Sequence, residues 1–287
     1  MSSKNFTKFL IATLGIIIVS SCAQKVKEET VNESVEIALQ VVLPEVTAPP
    51  ASLNLDPFYK KYLNANGIPV IASWRVPDSA LVKAWEIITF MTHDLPPNVL
   101  KQMQNVGLRV GVMARYEGTT DIPEHAGLAH DTTINWDVRA RGLGGDLDLP
   151  LTTCAEENLL CYQIDKYHAE DILIHEFAHS IHLVGIAPID STFNPLLHKL
   201  LEKALSEGKY RNTYAKTNFY EYWAEGVQNW FNVNAEVPEP DGKHNQLNTR
   251  EELKVYDPDL YEVLHRYFSE FDGSPSCHAA ENRYALP

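Results

Sequence analysis

The chain has 287 residues, 45% of them hydrophobic and 10% aromatic, and carries a net charge of −14. That length suffices for one sizeable core, with room for two lobes. So acidic a balance argues against nucleic acid as a partner, and beyond that reports on solubility rather than fold.

The first segment is a leader. Lys4 and Lys8 form a basic start, an apolar run of eleven residues follows from Phe9 to Val19, and Ser20, Ser21 and Cys22 close it. A bilayer core needs roughly 20 apolar residues, so this run does not span one. An ordinary cleaved secretory signal is one reading. The sharper one is that "VSSC" resembles a bacterial lipobox, in which Cys22 becomes the lipidated N-terminus. That resemblance implies a signal peptide over residues 1–21 and a protein anchored at the cell envelope outside the cytoplasm, with the membrane as a partner. Residues 22–53 are charged and then proline-bearing, which predicts a flexible tether. The domain is expected over 54–275, with a tail over 276–287.

Pro69–Val76 reads as a strand, and Asp78–Leu95 as a helix with Asp78 as N-cap and Pro96 and Pro97 beyond its end. Gly107–Tyr116 is a second strand and Thr132–Ala140 a third, followed by a glycine-bearing loop, "RGLGG", at Arg141–Gly145. A helix is expected from about Tyr167 to Val184, with Gly185 as a left-handed cap. Further helices are expected near Pro195–Glu207, Asn218–Val233 and Asp257–Phe271. Strands with a crossover helix come first and mostly helices later. This order predicts an α/β fold, with an N-terminal α/β lobe against a mostly helical C-terminal lobe.

Three cysteines follow the leader: Cys154, Cys161 and Cys277. In an exported chain Cys154 and Cys161 can close a small loop, or Cys277 can pair with either; all three reduced and buried is the alternative. None has the spacing of a thiolate zinc site.

Within the predicted helix, "DILIHEFAHSIHLVG" sets ionisable groups in an oily run. His175, Glu176 and His179 form H-E-x-x-H. At about 100° per residue the two histidines lie about 40° apart and one turn removed, so both can aim at one zinc ion. Glu176 falls beside the ion, placed to take a proton from water. A third protein ligand is needed. Metzincins supply a histidine six residues after the second one, where this chain has Gly185. His182 lies about 10 Å along the axis from His175, which suits a pocket wall or a satisfied core histidine better than a ligand.

The better candidate is Glu221 in "YAKTNFYEYWAEGVQNWF". Glu221 and Glu225 share a helix face among buried aromatics and need cations to answer them. Glu221 as ligand, with Glu225 accepting the spare N–H of a zinc-bound histidine, is one solution for both. A capping box from Asn218 to Glu221 is the rival explanation of Glu221.

"HEFAH" together with "YAKTNFYEYWAE" resembles the zinc metallopeptidases of the anthrax lethal factor type. That resemblance covers roughly residues 172–231. It implies a zincin-like fold, Zn²⁺ held by His175, His179 and Glu221, Glu176 as base, and Tyr214 stabilising the oxyanion. Glu225 falls where such gluzincin-like enzymes keep an acidic residue behind the ligands. Two positions depart from the pattern: Ala178 replaces a glycine and Trp223 a phenylalanine.

Weaker signals are His244, Asn245, Asn248 and Arg250, which either reach the cleft or belong to a solvated loop before a Thr249-led helix. Glu156 and Glu157 also offer carboxylates, and Arg141–Gly145 borders an edge strand where an extended peptide can add. The expected function is an extracytoplasmic zinc metallopeptidase acting on a peptide or protein substrate. A zinc amidase on cell-wall or modified-sugar amides is the alternative enzyme, and a non-catalytic surface binding lipoprotein the alternative without chemistry. An intact Glu176 weighs against the last.

Overall fold

A computed structural model of the chain describes residues 43–271 and 273–280. The leader, Cys22 and the tether as far as residue 42 lie outside the described residues. No helix among the described residues is long and apolar enough to cross a membrane.

The fold is mixed α/β. A hairpin opens it: β1 (Lys61–Ala65) and β2 (Ile68–Ala72) pair antiparallel. Asn66 and Gly67 make the turn, both at positive φ (50° and 83°), a conformation that an Asn-Gly pair adopts at low cost. The chain then leaves the sheet through α1 (Asp78–Thr92) and α2 (Pro97–Asn105). It returns as β3 (Arg109–Met113), parallel to β2. Pro97 takes the first turn of α2, where its missing N–H costs nothing. At the start of α1, Pro77 holds the capping position, and Asp78 lies inside the first turn and pairs with Lys61 at 2.5 Å. Asp78 therefore stabilises the helix start by its charge and not as the expected cap.

The third predicted strand is displaced. Thr132–Asn135 is exposed loop, and Trp136–Arg139 forms a single helical turn, α3. Its β-rich composition has no neighbouring strand to pair with. The fourth strand is β4 (Leu151–Ala155), parallel to β3 and completing the order β1-β2-β3-β4. Every residue of β4 is buried, so it lacks the alternation that marks a half-exposed strand. Outside it, Leu143 bridges antiparallel to Thr153, so residues 141–145 flank the sheet edge.

A short helical turn, α4 (Glu156–Leu159), leads toward α5 (Ile172–Ser180). Asp171 caps α5: its carboxylate accepts from the Ile174 N–H at 2.9 Å. The helix therefore begins later than Tyr167. It continues as a π-helical segment, Ile181–Ile186, that contains Gly185. Gly185 is thus not a left-handed cap. A Cβ there would lie 2.8 Å from Val99 Cγ1 and 3.0 Å from Met103, so its role is to let α2 approach.

The helical half follows as α6 (Phe193–Ser206), α7 (Phe219–Trp230), α8 (Arg250–Tyr256) and α9 (Pro258–Leu264). Leu81 and Ile88 of α1, Val70 and Val110 of the sheet, Phe177 of α5 and Trp223 of α7 all belong to one buried cluster. Sheet, α5 and α7 are therefore held as a unit. Truncating Phe177 or Trp223, both 0% exposed, to alanine costs roughly 3–5 kcal/mol. Trp223 and Ala178 touch: the Trp223 indole donates to the Ala178 carbonyl at 2.9 Å.

Cys161 and Cys277 form a disulfide, and Cys154 is free and buried. Of the pairings open to the sequence, this one joins distant segments. Residues 276–280, expected as a tail, are packed: the Ser276 hydroxyl donates to Asp171 at 2.5 Å, and His278 is buried against the Asn158 carbonyl at 2.8 Å.

Candidate metal centre and active site

Helices α5 and α7 cross so that H-E-x-x-H faces Glu221. His175 Nε2 lies 3.2 Å from Glu221 Oε2 and 3.2 Å from His179 Nε2, and His179 Nε2 lies 3.3 Å from Glu221 Oε2. Three donor atoms at tetrahedral angles, each about 2.0–2.2 Å from a zinc ion, stand about 3.3–3.6 Å apart. The triangle fits that size, and its mixed nitrogen and carboxylate donors suit the same ion. The rival account of Glu221 is half met. Asn218 caps α7 by accepting from the Tyr220 and Glu221 N–H groups at 2.9 and 3.0 Å, while the Glu221 carboxylate turns to the histidines.

Charge explains why a cation belongs there. Burial disfavours a charged His175, yet the hydrogen bond to Glu221 and the charges of Glu176, Glu225 and Glu221 outweigh it and hold its pKa at about 10. Burial also opposes ionisation of Glu221, but the hydrogen bonds from His175 and His179 prevail and push its carboxyl well below the usual range. Burial raises Glu176 and Glu225. Three carboxylates around two imidazoles leave an excess of negative charge that a divalent ion answers.

The partner of His175 differs from expectation. Its Nδ1–H donates to Gln228 Oε1 at 2.8 Å, whereas Glu225 lies 3.9 Å away, beyond hydrogen-bond range. Gln228 in turn donates to the Asp171 carbonyl at 3.2 Å and to Glu170 at 3.4 Å. The amide accepts from the imidazole and donates onward, which an ionised carboxylate cannot do, and a carboxylate at 228 would stand beside buried Glu170 and Glu225. Glu225 instead accepts from Asn234 at 2.9 Å and supplies negative charge behind the ligand. His244 completes the chain with Nε2 3.3 Å from Glu170. Gln228 falls seven residues after Glu221, on the same helix face as Glu225, and this spacing alone does not distinguish the two.

The centre opens into a cleft of about 890 Å³. Glu176, Tyr214, Leu143, Gly144, Trp136 and His244 are among its lining residues. Tyr214 stacks obliquely near His175, with ring centres 6.4 Å apart, and its N–H is held by the Lys243 carbonyl at 2.7 Å. Burial and the Glu221 charge raise its pKa, so the phenol stays a neutral donor at working pH. The glycines of residues 141–145 have a steric cause. A Cβ on Gly142 would meet Ile172 at 2.6 Å, and one on Gly144 would meet His179 Cβ at 2.6 Å. This strip can therefore lie against α5, and the Gly144 backbone hydrogen-bonds the Glu176 carboxylate.

His182 is no part of the triangle. It is fully buried, its Nε2 donates to Asn194 at 2.6 Å, and burial lowers its pKa to about 4. Of the weaker candidates, His244 lines the cleft. Asn245, Asn248 and Arg250 are buried outside the lining, with Arg250 packed over Phe271. Glu157 is paired with Arg141 at 2.6 Å, and Glu156 lies 3.7 Å from Arg115.

No family model matches the chain, and no curated protein matches it. Among solved structures, the chain is similar to the PRO-PRO endopeptidase (PPEP-2) from Paenibacillus alvei. The two are 17% identical, with a TM-score of 0.44, over 69% of this chain and 96% of that one. A likeness this distant leaves the chemistry of the site to its own geometry.

Proposed function

We propose that the chain is a zincin-like zinc metallopeptidase that works outside the cytoplasm. The observation that carries this is the convergence of His175, His179 and Glu221 on one point beside Glu176 and Tyr214 in an open cleft. His175, His179 and Glu221 would hold a zinc ion, which would supply Lewis acidity and lower the pKa of water toward neutrality. Glu176 takes the proton from the attacking water and delivers it to the leaving amine. The Tyr214 phenol donates to the oxygen of the scissile carbonyl as charge develops on it. Gln228 holds the His175 ring in place.

The leader supports anchoring through Cys22, and the Cys161–Cys277 disulfide suits an oxidising compartment. Residues 22–42 would act as the tether. The likeness to the PRO-PRO endopeptidase agrees with peptide hydrolysis without adding to it.

Incubating the purified protein with a diverse peptide library, with and without chelator, tests the activity. Chelator-sensitive cleavage of peptide bonds is expected, and cleavage only of cell-wall or sugar amides would move the assignment to an amidase. Membrane fractionation of wild type and Cys22→Ser tests the anchor: the native protein is expected with membranes and the variant released or uncleaved.

A further inference from the structure

The charged groups of the cleft fall into two sets. The acids are all engaged: Glu221 with the two histidines, Glu170 with His244, Glu225 with Asn234, and Glu176 with the Gly144 backbone. The cations Arg139 and Lys243 line the same cleft, are exposed, and have no acidic partner among the described residues. Arg139 and Lys243 therefore remain able to answer negative charge on a molecule that enters the cleft.

The Arg139 guanidinium lies beside the Tyr214 phenol. Lys243 adjoins Tyr214 through its backbone, its carbonyl accepting from the Tyr214 N–H at 2.7 Å, and its side chain lines the same cleft. The neighbouring Arg141 is neutralised by Glu157, at 2.6 and 3.1 Å. Lys166, which donates to the Val138 carbonyl at 2.7 Å, is disfavoured as a cation by burial and then by Arg141, Arg139 and Lys243. The positive field at this end of the cleft is therefore shared by several groups. A peptide advances only about 3.3–3.6 Å per residue. A group that reaches Arg139 thus lies within about one residue of a carbonyl held by Tyr214.

We propose that Arg139 and Lys243 form a subsite for a substrate carboxylate next to the scissile bond. The subsite rests on reading the cleft as one that binds peptides. The carboxylate comes either from an Asp or Glu side chain or from the free C-terminus of a short peptide, and both present the same planar acceptor to a guanidinium.

The test uses zinc-loaded full-length protein carrying Glu176→Gln, which binds without turnover. Random heptapeptide mixtures differ in one feature: Asp or Glu against Asn or Gln at a fixed position, or a free C-terminus against an amide. Mass spectrometry reads which peptides are retained. One acidic arm is expected to be enriched roughly tenfold to a hundredfold, the range for one or two hydrogen bonds to a charged group. The enrichment should fall to near unity in Arg139→Ala/Lys243→Ala, be largely lost in Lys243→Glu, where the new carboxylate answers Arg139, and weaken with salt. Enrichment of the side-chain arm or of the C-terminal arm names the source. Equal retention of acidic and neutral peptides, or a preference that survives both alanines, would overturn the subsite. So would an Arg139→Ala effect equal for all peptides, the mark of a residue that serves only Tyr214. If the active protein cleaves no library member while the enrichment persists, the peptidase reading falls and the subsite stands.

Discussion

Gln228→Leu separates a residue that orients a metal ligand from one that only fills the core. Gln228 is fully buried, and its Oε1 is the acceptor for His175 Nδ1–H at 2.8 Å. Leucine keeps most of the volume and removes the acceptor. The stranded N–H costs about 1–3 kcal/mol. Loss of such an orienting partner lowers metal affinity by about 10–100-fold, or about 1.4–2.8 kcal/mol, which agrees. Glu225→Gln should cost much less, because Glu225 lies 3.9 Å from the same nitrogen and makes no hydrogen bond to it. Zinc affinity is measured by competition with a chromophoric chelator, and the melting temperature of the metal-free protein is taken on the same samples. The melt reads any packing defect, and the competition reads the metal. A zinc affinity for Gln228→Leu within about twofold of wild type would falsify the orienting role. So would an equal loss in Glu225→Gln.

Glu176→Gln is expected to retain zinc and to lower hydrolysis by roughly 10²–10⁴-fold, as measured by turnover beside elemental analysis. Tyr214→Phe should cost about 2–4 kcal/mol of barrier in kcat with little change in KM or zinc content; activity within about twofold of wild type would leave Tyr214 a packing residue. His182 titrates in the folded protein near pH 4 because it is buried, while the unfolded chain takes up that proton near 6.5. Stability should therefore fall as the pH drops across that window, by about 3 kcal/mol in all. Urea unfolding of His182→Phe should show a shallower acid limb with zinc stoichiometry unchanged. Cys277→Ser opens the link to Cys161 and should lower stability by roughly 2–5 kcal/mol in denaturant titrations, with no effect from reductant.

The candidate site residues are legible where helical spacing alone fixes them. His175 and His179 share a face because they are four apart, and the Glu221 and Glu225 pair follows the same rule on α7. The hairpin is also legible: Asn66-Gly67 between "KYLNA" and "IPVIA" is a turn signal. β4 was not legible. It is five residues long and buried on both faces, so it has neither length nor period to show. The exposed stretch before Trp136 offered a stronger β composition and took its place.

What decides the partner of His175 is a matter of reach between helices, and no spacing within one helix reports it. Glu225 and Gln228 both follow Glu221 on the inner side of α7, four and seven residues on. Along a helix the step from one to the other is about 4.5 Å. That is more than the difference between a hydrogen bond and none. Which of the two meets His175 Nδ1 depends on where α5 crosses α7. That crossing depends on Gly142 and Gly144 letting the edge strip lie against α5, and on Trp223 reaching the Ala178 carbonyl from α7. The histidine pair is thus set by local periodicity, whereas Glu221 reaches it, and Gln228 orients it, through packing between segments distant in the sequence.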